Sequence, residues 1–213
     1  MNFDEFLKST SKINNLPLPG EASQLKMSPP FRKALLKQQK DKIIHAKQSA
    51  VLALFYPDAQ QITKLILILR KTYKGVHSAQ VGFPGGKVEK EDESLQHTAL
   101  RETQEEIGVP AQDVAVLKAL TKVYIPPSNF FVQPYFGITN KTPRFIKEES
   151  EVEALIEVPL TQFLDAKNVI SKKVTASYKL DVEVPAFQFS NHIVWGATAM
   201  MLSEIKDLLK EAL

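Results

Sequence analysis

The sequence has 213 residues, of which 44% are hydrophobic and 24% are charged, and its formal net charge is +3. These values are ordinary for a globular protein of one domain with an extension, or of two small domains. The chain has no cysteine, which excludes disulfides, zinc–thiolate sites and cysteine nucleophiles. Its apolar runs fall short of the roughly 20 residues of a membrane helix, and its polar N-terminus lacks a signal-peptide core. We therefore expect a cytoplasmic protein without a membrane partner.

The first 46 residues are expected to form a helical extension that packs on the main domain. Breaks at Pro and Gly separate a helix over 2–14 from a second helix over 31–47. Residues 31–48 hold six basic residues against one acidic residue. Such an arm can bind phosphates or nucleic acid, or can be a solvated helix face. No aromatic residues interleave with the basic ones, so we expect no nucleic-acid partner.

Residues 47–213 are expected to form the main domain, a mixed sheet with helices on its faces, which is an α/β (α+β) sandwich. Residues 49–56 and 64–70 are rich in Val, Leu and Ile and flank a turn, a pattern typical of a hairpin of two buried strands. A helix over 93–107 follows and ends at Gly108, a usual stop signal.

The remaining predicted elements complete the sandwich. The strands are expected at 114–123, 130–138 and 154–158, the second hairpin at 174–178 and 184–189, and the terminal amphipathic helix at 195–213.

The helix over 93–107 carries a cluster of carboxylates. At about 100° per residue, Glu102, Glu105 and Glu106 share an arc that lies mostly away from the apolar side. Two like charges at ~4 Å cost up to about 4 kcal/mol at an effective dielectric of 20, and Arg101 alone does not balance three acids. The face is therefore either fully solvated or occupied by a multivalent cation, and hard oxygen ligands suit Mg²⁺ or Mn²⁺.

A Gly85-Gly86 pair precedes this helix. Glycine permits a close approach of backbone to a ligand, so a carbonyl of this turn can complete a metal site, although the pair can also be a plain turn. Divalent ions held by carboxylates and by phosphate oxygens suit the attack of water on a pyrophosphate.

Residues 101–109, RETQEEIGV, resemble the second half of the Nudix box, R-E-U-x-E-E-x-G-U. Glu93 stands eight residues before Arg101, as that box requires. Gly86 is separated from Glu93 by six residues instead of the usual five, and Thr103 stands where an apolar residue is usual. The one-residue insertion resembles the coenzyme A (CoA) pyrophosphatase branch of the family.

Three further segments are similar to this branch, so that the resemblance covers about residues 47–202. One runs from Arg70 to the F-P-G-G motif at 83–86, with Ala79 in place of an expected glycine. The others are 124–129 and 195–198. The resemblance implies a Nudix-type α/β/α sandwich with an N-terminal helical extension.

The resemblance also implies roles for the box residues. Glu102 and Glu106 would bind the metal directly, Glu105 directly or through water, and the carbonyl of Gly86 would be a further ligand. Glu105 and Glu106 would thereby take part in catalysis. Arg101 would pair with Glu93 and hold the loop against the helix.

Catalysis by this family often uses one more carboxylate from a later loop. In the acidic segment 147–153 we select Glu151 as the catalytic base or extra ligand, with a solvated charge run as the alternative.

Substrate contacts are expected upstream and downstream of the box. Arg70 and Lys74 can contact phosphates. His77 can touch the substrate or make a structural hydrogen bond. Ser128 and Asn129 can position the substrate or shape the Pro-Pro loop.

The resemblance predicts Mg²⁺- or Mn²⁺-dependent hydrolysis of CoA or a CoA derivative to 3′,5′-ADP and 4′-phosphopantetheine. One alternative is a Nudix enzyme acting on ADP-ribose, NADH or another nucleoside diphosphate derivative. Others are a non-catalytic Nudix-like binding module and a nucleic-acid-binding protein that uses the basic arm. Family members are often dimers, so a homodimer is a possible assembly.

Overall fold

The computed structural model describes residues 1–72, 80–175 and 181–213. Its helices are α1 (Phe3–Thr10), α2 (Gly20–Leu25), α3 (Arg32–Gln38), α4 (Lys40–Ile43), α5 (Leu95–Ile107), α6 (Leu160–Leu164) and α7 (Gly196–Ala212). Its strands are β1 (Lys47–Pro57), β2 (Thr63–Arg70), β3 (Val81–Gly82), β4 (Gly85–Lys87), β5 (Ala115–Ala119), β6 (Val123–Ile125), β7 (Phe130–Ile138), β8 (Val152–Pro159), β9 (Val169–Thr175), β10 (Asp181–Phe189) and β11 (His192–Trp195).

The main sheet has eight strands and contains the path β3-β2-β1-β7-β5. Strand β4 also pairs with β1, β6 with β7 and β8 with β2, while β11-β10-β9 form a second sheet. The β1–β7 pairing is parallel and the other pairings are antiparallel. The sheet is therefore mixed, as the sequence predicts.

Strand β1 is buried on both faces of the sheet because its apolar side chains alternate between two cores. Ala53 and Phe55 pack in a core shared with α7 and the second sheet. Leu52 and Leu54 pack in a core shared with α5. Helices thus cover both faces, and the predicted α/β/α sandwich is confirmed.

The N-terminal segment packs into the main core. The rings of Phe6 and Phe55 lie 5.2 Å apart, and both side chains are fully buried. Further along, the hydroxyl of Ser23 in α2 donates to the carbonyl of Ser203 in α7, and the hydroxyl of Ser203 donates to the carbonyl of Ser23. Helices from the two ends of the chain are therefore joined side by side.

Two predicted elements differ from the structure. The single helix expected over 31–47 is wrong, because α3 and α4 are separate and Lys47 already pairs with Phe130 in the parallel β1–β7 ladder. The strand expected over 114–123 is divided into β5 and β6. Both strands pair with β7, and the β5–β7 pairing contains a register shift between Val116 and Lys118.

The second hairpin is formed by β9 and β10. The strand expected at 174–178 begins earlier, at Val169, and its last three residues lie outside the described residues. Within the described ranges, none of the helices combines the length and the apolarity that crossing a bilayer requires.

Candidate active site

Helix α5 positions the acidic cluster, and both its ends are fixed by local signals. The hydroxyl of Ser94 accepts a hydrogen bond from the backbone N–H of His97 at 3.1 Å, which is the usual serine N-cap. Gly108 ends the helix in the left-handed region, with φ of 74°. A side chain at Gly108 would also overlap Ile146. Both the backbone conformation and the lack of space therefore require glycine at this position.

Glu106 lies at the centre of the site. Its side chain is 1% exposed. One carboxylate oxygen accepts from Nη1 of Arg70 at 2.7 Å, and the other accepts from the N–H of Gly85 at 2.8 Å. Nη2 of Arg70 donates to the carbonyl of Gly85 at 2.6 Å. These three residues close a ring that ties β2, β4 and α5 together.

The pKa of Glu106 reflects its burial. Desolvation raises it to about 7, and the opposing effects of Arg70 and of the Gly85 N–H are smaller. The carboxylate is therefore poised to change charge near neutral pH, and a cation placed against it would favour the ionised form.

The glycine pair lets β4 lie directly on α5. Gly85 has φ of +145°, and a side chain there would overlap the backbone of Ala50 and Val51. A side chain at Gly86 would overlap the carboxylate of Glu102. Burial raises the pKa of Glu102 as well. Two desolvated carboxylates therefore border the same short stretch of backbone.

Glu105 differs from its two neighbours. Its side chain is 57% exposed, and it accepts from Nη1 of Arg101 at 3.0 Å, one turn earlier on α5. The three predicted carboxylates thus share one helix but have three environments: Glu106 is buried, Glu102 is partly buried and Glu105 faces solvent.

The donor set of the site meets the needs of a divalent ion in part. Within the described residues, no three acidic or histidine side chains converge as a metal-binding group. Glu102 and Glu106 nevertheless offer carboxylate oxygens beside the Gly85-Gly86 backbone, which is the ligand chemistry that Mg²⁺ and Mn²⁺ prefer. The residues therefore fit such an ion in kind, and the guanidinium of Arg70 contacts the same Glu106 carboxylate.

The prediction that Arg101 pairs with Glu93 is wrong, since its partner is Asp92. Arg101 Nε and Nη2 donate to the two carboxylate oxygens of Asp92, both at 2.9 Å. Asp92 also accepts from the hydroxyl of Thr98 at 2.9 Å. The Arg101 guanidinium holds the pKa of Asp92 well below its usual range. Glu93 is exposed, and its N–H donates to the ring of His97.

A spacing signal could have identified Asp92. Five residues separate Gly86 from Asp92, which is the usual spacing of the box, so the additional residue lies after the acid instead of before it. Arg101 also donates to the carbonyl of Lys87 at 3.1 Å. Asp92 and Arg101 therefore hold the loop between β4 and α5, which is the role that the sequence assigned to Glu93 and Arg101.

Glu151 lies next to Arg70 in the sheet. Its carbonyl accepts from the N–H of Lys71 at 2.9 Å, and Arg70 pairs with Val152 in the β2–β8 ladder. The Glu151 side chain is exposed and does not line the cavity described below. The fold thus brings the backbone of Glu151 next to Arg70. The role of the Glu151 side chain as a base stays a prediction.

The other predicted substrate contacts divide into two groups. The Asn129 side chain accepts from Tyr124 Oη at 2.8 Å and donates to the carbonyl of His45 at 3.3 Å. A substrate contact of Asn129 stays a prediction. Ser128, like Asn129, does not line the cavity. Lys74 and His77 lie outside the described residues.

A cavity of about 290 Å³ opens beside Arg70, Gly85 and Gly86. Most of its other walls are apolar and come from three separate segments: 29–35, the loop between β6 and β7, and the start of α7. Representative wall residues are Phe31, Leu35, Pro126, Phe130, Trp195 and Met200. Arg32 also lines this cavity. The sequence placed this residue in a basic arm without connecting it to the site, because its position depends on tertiary packing.

Residues 46–178 match the NUDIX domain family model. A relative from Pectobacterium atrosepticum, called an uncharacterized Nudix hydrolase NudL, is 35% identical over 152 residues, which cover 66% of this chain and 72% of that protein. A relative of the same name from Yersinia pestis is 33% identical over 141 residues, covering 66% and 70%. The structure of a MutT/nudix family protein from Enterococcus faecalis is similar in fold, with a TM-score of 0.53 and 18% identity over 78% of this chain and 62% of that chain.

Proposed function

The chain belongs to the Nudix family, and we propose that it is a Mg²⁺- or Mn²⁺-dependent hydrolase that cleaves the diphosphate of CoA or a CoA derivative. The observation that carries this proposal is the buried Glu106 carboxylate, which accepts hydrogen bonds from Arg70 and Gly85, two residues that line the cavity. A desolvated acid with a specific cationic partner in a cleft is typical of a functional site.

Two carboxylates and one backbone carbonyl would hold the metal. Glu102 and Glu106 border the Gly85-Gly86 backbone, and the carbonyl of Gly86 is the predicted third ligand. Nudix hydrolases generally use divalent metal ions. When bound, such an ion supplies a Lewis acid that offsets the negative charge of the diphosphate.

Arg70 would orient the substrate, because its side chain lines the cavity beside Gly85 and Gly86. Its guanidinium now donates to Glu106 and to the Gly85 carbonyl. Arginine matches phosphate in geometry and charge, so Arg70 can orient a phosphoryl group at the same edge of the cavity. Glu151, which is adjacent to this end of β2, would accept the proton of the attacking water.

The remaining charged residues of the box would keep α5 and its loop in position. Arg101 joins Asp92, Glu105 and the Lys87 carbonyl. Because these bonds fix the loop that follows β4, they hold the Gly85-Gly86 backbone of β4 in place relative to Glu102 and Glu106. Glu105 is partly solvated and would bind the metal directly or through water.

The experiment that tests this function is a substrate panel. CoA, acetyl-CoA, CoA disulfide, ADP-ribose and NADH are each incubated with the protein and Mg²⁺ or Mn²⁺, and the products are identified by mass spectrometry. We expect 3′,5′-ADP and 4′-phosphopantetheine from CoA, and no products with EDTA. Cleavage of ADP-ribose or NADH with CoA left intact would overturn the CoA assignment. No cleavage of any substrate would favour a binding module.

A further inference from the structure

Arg32 differs from the other basic residues near it. Of the six basic residues at 31–48, Arg32 alone lines the cavity, whereas Lys33, Lys37, Lys40 and Lys42 are exposed. Its Nη2 donates to the carbonyl of Tyr124 at 2.9 Å. This bond anchors the side chain to β6 and fixes it in the cavity wall.

Arg32 lacks a carboxylate within ion-pair distance in the part of the chain that the structure describes. Burial lowers its pKa, and the more distant charge of Glu21 opposes that effect less strongly. A partly buried cation without a charged partner is unfavourable, so the position is suited to an anion that arrives with a ligand.

The surroundings of Arg32 limit what that ligand is. The cavity is continuous from Arg70 and Gly86, where the scissile diphosphate is proposed to bind, to Arg32. Apolar surfaces, including those of Phe31, Pro126 and Trp195, line the same cavity. Such a site accepts a flat or apolar group followed by a second anion.

We infer that Arg32 binds a phosphate monoester carried by the substrate away from the scissile diphosphate, and so makes the enzyme selective for CoA over analogues that lack the 3′-phosphate. The inference rests on the proposed function. Of the two parts that the diphosphate of CoA connects, the pantetheine arm is uncharged and the nucleoside carries the 3′-phosphate. The nucleoside therefore lies on the side of the cavity formed by residues 29–35, with its base between the apolar walls.

The first test compares CoA with dephospho-CoA, which lacks only the 3′-phosphate. We expect Arg32→Gln to lower kcat/KM for CoA by about 10- to 100-fold, the range that a charge-assisted hydrogen bond contributes, and to change that for dephospho-CoA less than about twofold. Lys33→Gln is the matched control, because it removes the neighbouring exposed charge. Arg32→Lys should restore part of the selectivity, since it keeps the charge without the forked geometry.

The second test measures binding without turnover. Titration calorimetry with 3′,5′-ADP and with 5′-AMP, in the absence of divalent ions, isolates the 3′-phosphate. We expect Arg32→Gln to weaken the binding of 3′,5′-ADP and to leave the binding of 5′-AMP unchanged. Equal losses of affinity for the two nucleotides, or of kcat/KM for CoA and dephospho-CoA, would overturn the inference and indicate that Arg32 is structural. If the wild type fails to cleave CoA, the proposed function fails, while the difference between the two nucleotides still tests Arg32 separately.

Discussion

Two arginines line the same cavity in opposite electrostatic situations. Arg70 donates to the buried carboxylate of Glu106 at 2.7 Å, so its charge is balanced within the protein. Arg32 donates to a backbone carbonyl instead, and its charge has no such counterpart among the described residues. The Arg70 end of the cavity thus contains an internal ion pair, whereas the Arg32 end is the one that we propose for the 3′-phosphate of the substrate. The two ends should therefore respond differently to mutation and to pH.

The largest expected effect comes from removing the acid at the Arg70 end. Glu106→Gln should lower kcat by about 10³-fold or more, because an amide is a poor ligand for a divalent ion. The fold should be retained, since glutamine keeps the shape of the side chain and its amide oxygen can still accept from Arg70 or from the Gly85 N–H. Steady-state kinetics and circular dichroism check both statements. Glu91→Gln, on an exposed residue, is the control, and most activity remaining in Glu106→Gln would refute the metal assignment.

The pH dependence of stability should report the same carboxylate. The folded pKa of Glu106, about 7, is above its ordinary value of 4.5, so the folded state binds the proton more tightly than the unfolded state. This contribution to stability is full below about pH 4.5 and is lost as pH rises through about 7. Without divalent ions, the loss of this contribution should lower the free energy of unfolding by about 3 kcal/mol between about pH 4.5 and pH 7.

Urea denaturation at several pH values, in EDTA, measures this loss. Glu106→Gln should flatten the profile because it removes the titrating group. Added Mn²⁺ should oppose the loss, since a cation favours the ionised carboxylate. A wild-type profile identical to that of Glu106→Gln would contradict the assignment of the raised pKa.

The two arginines themselves allow a direct test. Arg70→Gln should destabilise the protein by about 2 kcal/mol at pH 8, because it leaves an ionised carboxylate buried without its partner. That value is reduced because the Arg70 side chain is 23% exposed. Arg32→Gln removes one hydrogen bond and a charge that has no carboxylate partner among the described residues. The free energy of unfolding should therefore change by no more than about 1 kcal/mol. Chemical denaturation of both variants measures these changes in the free energy of unfolding. Equal losses in the two variants would contradict the proposed difference between Arg70 and Arg32.

The last expected effect concerns the loop held by a third arginine, outside the cavity. Asp92→Asn weakens a pair of hydrogen bonds to Arg101 and should cost about 1 to 2 kcal/mol of stability. Glu93→Gln, one residue later and exposed, should cost nothing measurable. Thermal melts of the two variants compare them on the same loop. A larger loss of stability in Glu93→Gln than in Asp92→Asn would instead support the pairing of Arg101 with Glu93.

Much of the fold could be predicted because its signals are local. The dense apolar residues of β1 and β2 predict buried strands, and Gly108 predicts the end of α5. Thr103, which departs from the usual box, is accommodated because its hydroxyl donates to the Ala99 carbonyl one turn earlier at 2.6 Å. Local hydrogen bonding therefore makes a polar residue compatible with a fully buried position.

The site was only partly predictable, because parts of it depend on tertiary contacts. The helical projection placed Glu106 away from the apolar side of α5, yet β4 covers that face and buries it. The start of α5 at Leu95, after the Ser94 cap, leaves Glu93 outside the helix and places Asp92 next to Arg101. Arg32 is held in the cavity wall by its contact with Tyr124 of β6, which its charged neighbours in sequence do not reveal.

The cavity walls also bear on how the protein is made. Phe31 and Arg32 come from near the N-terminus, whereas Trp195 and Met200 come from near the C-terminus, and α2 packs on α7. During synthesis the ribosome must release almost the entire chain before these two ends can meet. A nascent chain can therefore assemble β1, β2 and α5 and still lack a complete binding pocket, so that substrate recognition arises only at the last stage of folding.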